Sequence, residues 1–121
     1  MTEPVQPAGK TTIAPDVLVT IARLTTLGVP GVSRLAPTPD SMDRIFKKGA
    51  NEGVIITVEN NIVYVDLFVI LQQDINVREV GRLIQNKVNR AISEMVGMEV
   101  GKVNIHVEDI DYGFQLSPQN L

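Results

Sequence analysis

Asn61–Gln73 reads NIVYVDLFVILQQ, and the fold turns on that stretch. Taken as a strand, it sends Val63, Val65, Leu67, Val69 and Leu71 to one side and Ile62, Tyr64, Asp66, Phe68 and Ile70 to the other, because successive side chains alternate. Both sides are mostly apolar. Such a strand belongs inside a sheet, and its second face needs a cover: another layer, a second copy or a partner. Asp66 is the exception on that face. An ionised carboxylate between Tyr64 and Phe68 needs water or a partner, either a cation of another molecule or one from its own chain such as Lys102.

Upstream, Gly53–Glu59 (GVIITVE) alternates Val54, Ile56 and Val58 against Ile55, Thr57 and Glu59. Asn60-Asn61 tolerates positive φ, so a tight turn closes an antiparallel hairpin with the central strand. Downstream, Asn76 and Glu79 form a capping-box-like start to a helix over Val77–Val96. Its apolar stripe is Val77, Val80, Ile84, Val88, Ala91, Ile92 and Met95, and Gly97 ends it. A last strand, Glu99–Ile110, places Val103, Ile105 and Val107 opposite Lys102, Asn104, His106 and Glu108.

The beginning repeats the alternation of element types. Residues 1–9 form a flexible lead-in with Pro4, Pro7 and Gly9, and Lys10–Ala14 is a short β-prone run. Pro15 starts a helix to Leu27 with Val17, Leu18, Ile21, Leu24 and Thr25 on its covered side, and Gly28 and Pro30 stop it. Between Ser33 and Glu52 lies a loop in which Arg44, Lys47 and Lys48 stand beside Met42, Ile45 and Phe46, a possible basic contact patch for acidic lipid or an acidic partner. The expected fold is α+β: a two-layer sandwich in β-α-β-β-α-β order, a four-stranded, mostly antiparallel sheet with two helices on one face. Residues 10–112 form its single domain and residues 113–121 a tail, from which Phe114 and Leu116 can fold back.

Composition narrows the chemistry. A chain of 121 residues with 44% hydrophobic and 21% charged residues is one globular domain rather than a disordered segment. A formal charge of −3 argues against a long phosphate-neutralising surface. There is no cysteine, which removes disulfides, thiolate metal sites and a cysteine nucleophile and suits a reducing compartment. The start has neither a basic nor an apolar leader segment, and no apolar run approaches a bilayer span, so a cytoplasmic protein is expected.

No catalytic, cofactor or metal site is expected. His106 is the sole histidine, too few for a histidine-rich metal centre. Glu108, Asp109 and Asp111 are close in sequence, but Glu108 and Asp109 point to opposite sides of a strand and no calcium-type loop accompanies them. Phosphate and oxyanion cradles of the G-x-x-x-x-G-K-S/T, G-x-G-x-x-G and G-x-S-x-G kinds do not occur. The chain therefore reads as a non-enzymatic interaction module whose sheet face at Ile62, Tyr64, Asp66, Phe68 and Ile70 meets another copy or a partner. The alternative is an RNA-binding module stacking bases on Tyr64 and Phe68, although Asp66 between the rings repels phosphate.

An ordered set of motifs carries a resemblance. G-x-x-x-I-A-x-x-V (Gly9–Val17), P-G-V (Pro30–Val32), G-V-x-I-x-V-E (Gly53–Glu59), V-D-L (Val65–Leu67), M-V-G (Met95–Gly97) and V-x-x-V-N-I-x-V (Val100–Val107) together resemble the alkaline shock protein family of bacterial envelope-stress proteins. The resemblance covers about Lys10 to Tyr112. It implies a small cytoplasmic, non-enzymatic scaffold or adapter linked to envelope stress or lipid-related homeostasis. Such a protein self-associates and, in some members, is held at the membrane by a separate anchoring protein.

Overall fold

The computed structural model describes residues 8–39 and 50–113 of the chain. Among the described residues, two helices and five strands follow in the order α1 (Pro15–Leu27), β1 (Val32–Leu35), β2 (Ala50–Asn51), β3 (Val54–Glu59), β4 (Ile62–Gln72), α2 (Val77–Val96) and β5 (Glu99–Asp111). This is the expected α+β sandwich, with one displacement. Lys10–Ala14 forms no strand, and the strand expected before the first helix is found after it, at Val32–Leu35. Pro15 starts the helix directly after that run, whereas Gly31, at φ 101°, turns the chain back along β4.

β4 is the centre of the sheet. β5 runs parallel to it from the Ile62↔Glu99 pair to the Gln72↔Asp111 pair and so takes one whole edge. The other edge is shared end to end by two antiparallel strands: β3 against Ile62–Leu67 and β1 against Val69–Leu71. Phe68 sits at their junction. Its N–H donates to the Gly53 carbonyl at 2.9 Å, and its carbonyl accepts from the Ala36 N–H at 2.7 Å. The β3–β4 turn uses Asn60 and Asn61 at φ 52° and 67°, as a two-residue hairpin of right-handed twist requires. A parallel β4–β5 pair needs a crossover, and α2 supplies it.

The helices cover the side of the sheet bearing Val63, Val65, Leu67, Val69 and Leu71, which are all fully buried. α2 contributes Val80, Ile84, Val88 and Ile92, a stripe of strict i, i+4 spacing. It starts with the Asn76 side chain accepting from the Glu79 N–H at 3.0 Å and ends at Gly97 in the left-handed region. α1 is turned from the expected orientation. Its buried residues are Leu18, Val19, Ala22 and Thr26, while Val17 and Leu24 are 45% and 59% exposed. Ala22 is fully buried, and the buried Thr26 hydroxyl donates to the Ala22 carbonyl at 2.7 Å.

A polar latch crosses β4 near its Ile70–Gln72 end. Ser33 of β1 donates its hydroxyl proton to Asp111 of β5 at 2.6 Å, and Arg34 reaches the same carboxylate oxygen at 3.1 Å. The Ser33 hydroxyl and the Gly113 N–H hold the Asp111 carboxyl below the ordinary aspartate value of 3.8, with the Arg34 charge adding to them and desolvation opposing. A carboxyl depressed in the folded state stabilises the fold above its unfolded pKa, and this contribution is lost as pH falls through the folded pKa. Urea midpoints of wild type and Asp111→Asn should therefore differ at pH 7, and the difference should shrink on acidification below about pH 4. A gap unchanged by acid refutes the latch's pH dependence.

Candidate functional site

Away from the helices, the sheet presents a face built from alternate residues of β3, β4 and β5. Cross-strand pairing places Ile55 beside Asp66, Thr57 beside Tyr64 and Glu59 beside Ile62. On the other side, Lys102 lies beside Tyr64, Asn104 beside Asp66, His106 beside Phe68 and Asp109 beside Ile70. Two bulges, at Gly101 and Glu108, shift the β5 register. They keep Lys102, Asn104, His106, Asp109 and Asp111 on this face although Asp109 and Asp111 are out of phase by simple alternation.

Asp66 is satisfied within the chain. Its Oδ1 lies 2.9 Å from His106 Nε2 and accepts from Asn104 Nδ2 at 3.2 Å. The side chains of Asp66 and His106 are 21% and 39% exposed, so the pair is half-wetted rather than buried. The His106 ring also stacks on Phe68, with centroids 4.5 Å apart and planes 11° from parallel. Lys102, the cation anticipated for Asp66, instead stands in register with Tyr64. Parallel pairing through α2 decides this, because it sets which β5 residue lies beside each β4 residue.

The apolar strip expected on this face divides in two. Ile62 and Tyr64 are partly exposed, and Gly101 leaves room for both, since a Cβ there would stand 2.5 Å from Tyr64 Cε1 and 2.9 Å from Ile62 Cγ2. Phe68 and Ile70 are not open. They are 3% and 8% exposed and form a second small cluster with Ala36 and Ile55. Tyr64 and Phe68 consequently do not present two open rings to stacked bases, which removes the geometry that an RNA reading requires. Sequence alone hid this cluster because β1, which leads into Ala36, was not recognised as a strand.

The remaining candidates are placed as follows. Glu108 and Asp109 are exposed, and Asp109 Oδ1 accepts from the Ile110 N–H at 2.8 Å. Among the described residues, no group of three or more His, Cys, Asp or Glu is arranged to hold a metal ion. Arg44, Lys47 and Lys48 lie outside the described residues, as do Met42, Ile45, Phe46, Phe114 and Leu116. On the helix side, an apolar cleft of about 170 Å³ between α1 and β3 is lined by Ile13, Pro15, Leu18, Ile56, Val58 and Met98. Among the described residues, no helix is long and apolar enough to cross a membrane.

Several known proteins are similar to this chain. The uncharacterized protein Spy1535 of Streptococcus pyogenes serotype M6 is 35% identical over 103 residues, spanning 84% of this chain and 79% of that protein. Two uncharacterized proteins of Bacillus subtilis are also similar: YloU, 25% identical over 84 residues (69% of this chain and 70% of that one), and YqhY, 22% identical over 106 residues (86% and 78%). Among solved structures, the MamM CTD in a zinc form has a TM-score of 0.50 at 12% identity, over 85% of this chain and 93% of that one, a likeness of fold alone. Residues 3–112 match the profile of a single family, described as having a cell envelope-related function, and the chain belongs to that family, the alkaline shock (ASP23) proteins.

Proposed function

We propose that this protein is a non-enzymatic cytoplasmic adapter of the envelope stress response, acting by self-association and by docking on a membrane-anchored protein partner. Family membership supports the link to the envelope. The observation that carries the adapter role is the half-open strip of Ile62, Tyr64 and Asp66, left on the sheet face that neither helix covers. Two apolar side chains beside a carboxylate already oriented by His106 and Asn104 suit a protein surface: the apolar area supplies association energy and the oriented polar groups supply register. Phe68 and Ile70 support that strip from within rather than contact the partner.

Sedimentation of the purified protein tests this role. Asp66→Ala and Tyr64→Ser should each shift the distribution toward monomer while the far-UV circular dichroism stays that of wild type. Sedimentation of both variants indistinguishable from wild type removes the strip from the interface. A wild-type chain that stays monomeric at the highest attainable concentration overturns self-association itself.

A further inference from the structure

β5 is thirteen residues long and, among the described residues, pairs only with β4. Its second edge is a row of backbone donors and acceptors of the kind that natural sheets keep short, charged or covered. Here the bulges at Gly101 and Glu108 interrupt it, leaving Lys102–Val107 as an unbroken stretch in register with Tyr64–Val69. That stretch contains one lysine and no proline. Lys102 and Asn104 are exposed, Ile105 and His106 are half-exposed, and Val107 is 37% exposed although it lies on the helix side, while Val103 is buried in the core.

The residues of this edge complement themselves. Antiparallel pairing of two copies about a two-fold axis at Ile105 sets Ile105 against Ile105, Val103 against Val107, Asn104 against His106 and Lys102 against Glu108. Apolar side chains then meet on the helix side, polar ones meet on the outer face, and Lys102 meets the bulge residue Glu108 at each end of the regular stretch, so that a lysine–glutamate pair forms twice. Moving the axis by one residue loses this match. Centred on Asn104, Lys102 faces His106; centred on His106, Asn104 faces Glu108 and Lys102 faces Ile110. The like charges that would collide, Glu99 with Asp111, lie beyond the bulges, where the regular stretch has ended. One acceptor is already engaged, since Gln85 Nε2 donates to the Val103 carbonyl at 3.0 Å, but a carbonyl has a second lone pair to offer.

We propose that the open edge of β5 is the contact between two copies of this chain, joined antiparallel about Ile105 into one continuous sheet. This rests on the self-association reading and specifies its geometry. In the dimer, Asn104 and His106 of both copies flank the axis on the outer face. Asp66, bonded to both in its own copy, becomes a positioning residue for that contact. Ile62 and Tyr64 lie one strand inward, on the outer face beside that contact.

The natural absence of cysteine makes the register readable by cross-linking. Facing residues of an antiparallel pair have Cα atoms about 4.5–5.5 Å apart, within disulfide range. Under mild oxidation, Ile105→Cys should yield a covalent dimer. Asn104→Cys and His106→Cys should each stay largely monomeric alone and cross-link when mixed. Lys102→Glu should raise the dimer dissociation constant by roughly tenfold, with Glu108→Lys in the same chain restoring it. A wild type that sediments as a dimer while neither Ile105→Cys nor the mixed pair cross-links overturns the edge contact and leaves self-association to the outer face. A wild type that is always monomeric overturns both. A covalent dimer from Asn104→Cys alone overturns the proposed register.

Discussion

Gly53→Ala should lower the stability of the fold by about 2–5 kcal/mol, whereas Gly97→Ala should cost only about 1 kcal/mol, although both glycines have positive φ. Gly53 has φ 78° and Gly97 φ 75°, so the backbone penalty for a side chain is similar at the two sites. Their surroundings differ. A Cβ on Gly97 meets nothing within 4 Å, but on Gly53 it would stand 2.7 Å from the Leu35 Cβ and 2.8 Å from the Ala36 carbonyl oxygen. Neither neighbour is the free end of a flexible side chain. Relief requires β1 and β3 to separate where the Gly53 carbonyl and the Ala36 N–H both bond to Phe68. Urea unfolding of the two variants measures the contrast, and equal midpoints would mean that the junction yields without loss.

That junction also marks what the sequence makes legible. The hairpin at Asn60-Asn61, the Asn76 cap and the helix ending at Gly97 follow from local chemistry, and each is found where side-chain type and spacing place it. Both faces of β4 follow from its alternation. The placement of β1 does not, because Val32–Leu35 is a four-residue strand whose pairing with Val69–Leu71 depends on Gly31 turning the chain back beneath Val80. Lys10–Ala14 has the stronger β propensity and yet forms no strand, so local preference named the wrong segment. The orientation of α1 escaped for a related reason: apolar Val17 and Leu24 outrank Ala22 and Thr26 on any hydropathy scale, and only packing against the sheet selects the smaller residues.

The candidate site was legible in its members and not in its pairings. Asp66 was identifiable as the anomalous charge on an apolar strand, and Asn104 and His106 as the polar side of β5. Their meeting depends on two bulges that alternation cannot reveal. A parallel register without the bulge at Gly101 would have placed Asp66 beside Val103, an apolar residue, and left the carboxylate without a donor. The glycine that opens space for Tyr64 therefore also brings Asn104 and His106 into reach of Asp66.

Phe68→Ala should destabilise the protein by about 3–5 kcal/mol, the usual cost of removing a buried aromatic ring. With an m-value of about 1–3 kcal/mol/M, this lowers the urea midpoint by roughly 1–5 M. Phe68 is 3% exposed, packs with Ala36, Ile55 and Ile70, and carries the His106 ring at 4.5 Å. Its removal opens a cavity under the outer face and takes away the platform that orients His106 toward Asp66. The same substitution at Tyr64, which is partly exposed and lies across Gly101, removes less buried area and should cost about 1–2 kcal/mol. The two variants separate support from contact. Phe68→Ala should act mainly on the unfolding midpoint, and Tyr64→Ala mainly on partner binding at temperatures where both remain folded. If Phe68→Ala left the midpoint unchanged, the ring would be a surface residue, and Ile62–Ile70 would again read as one continuous docking strip.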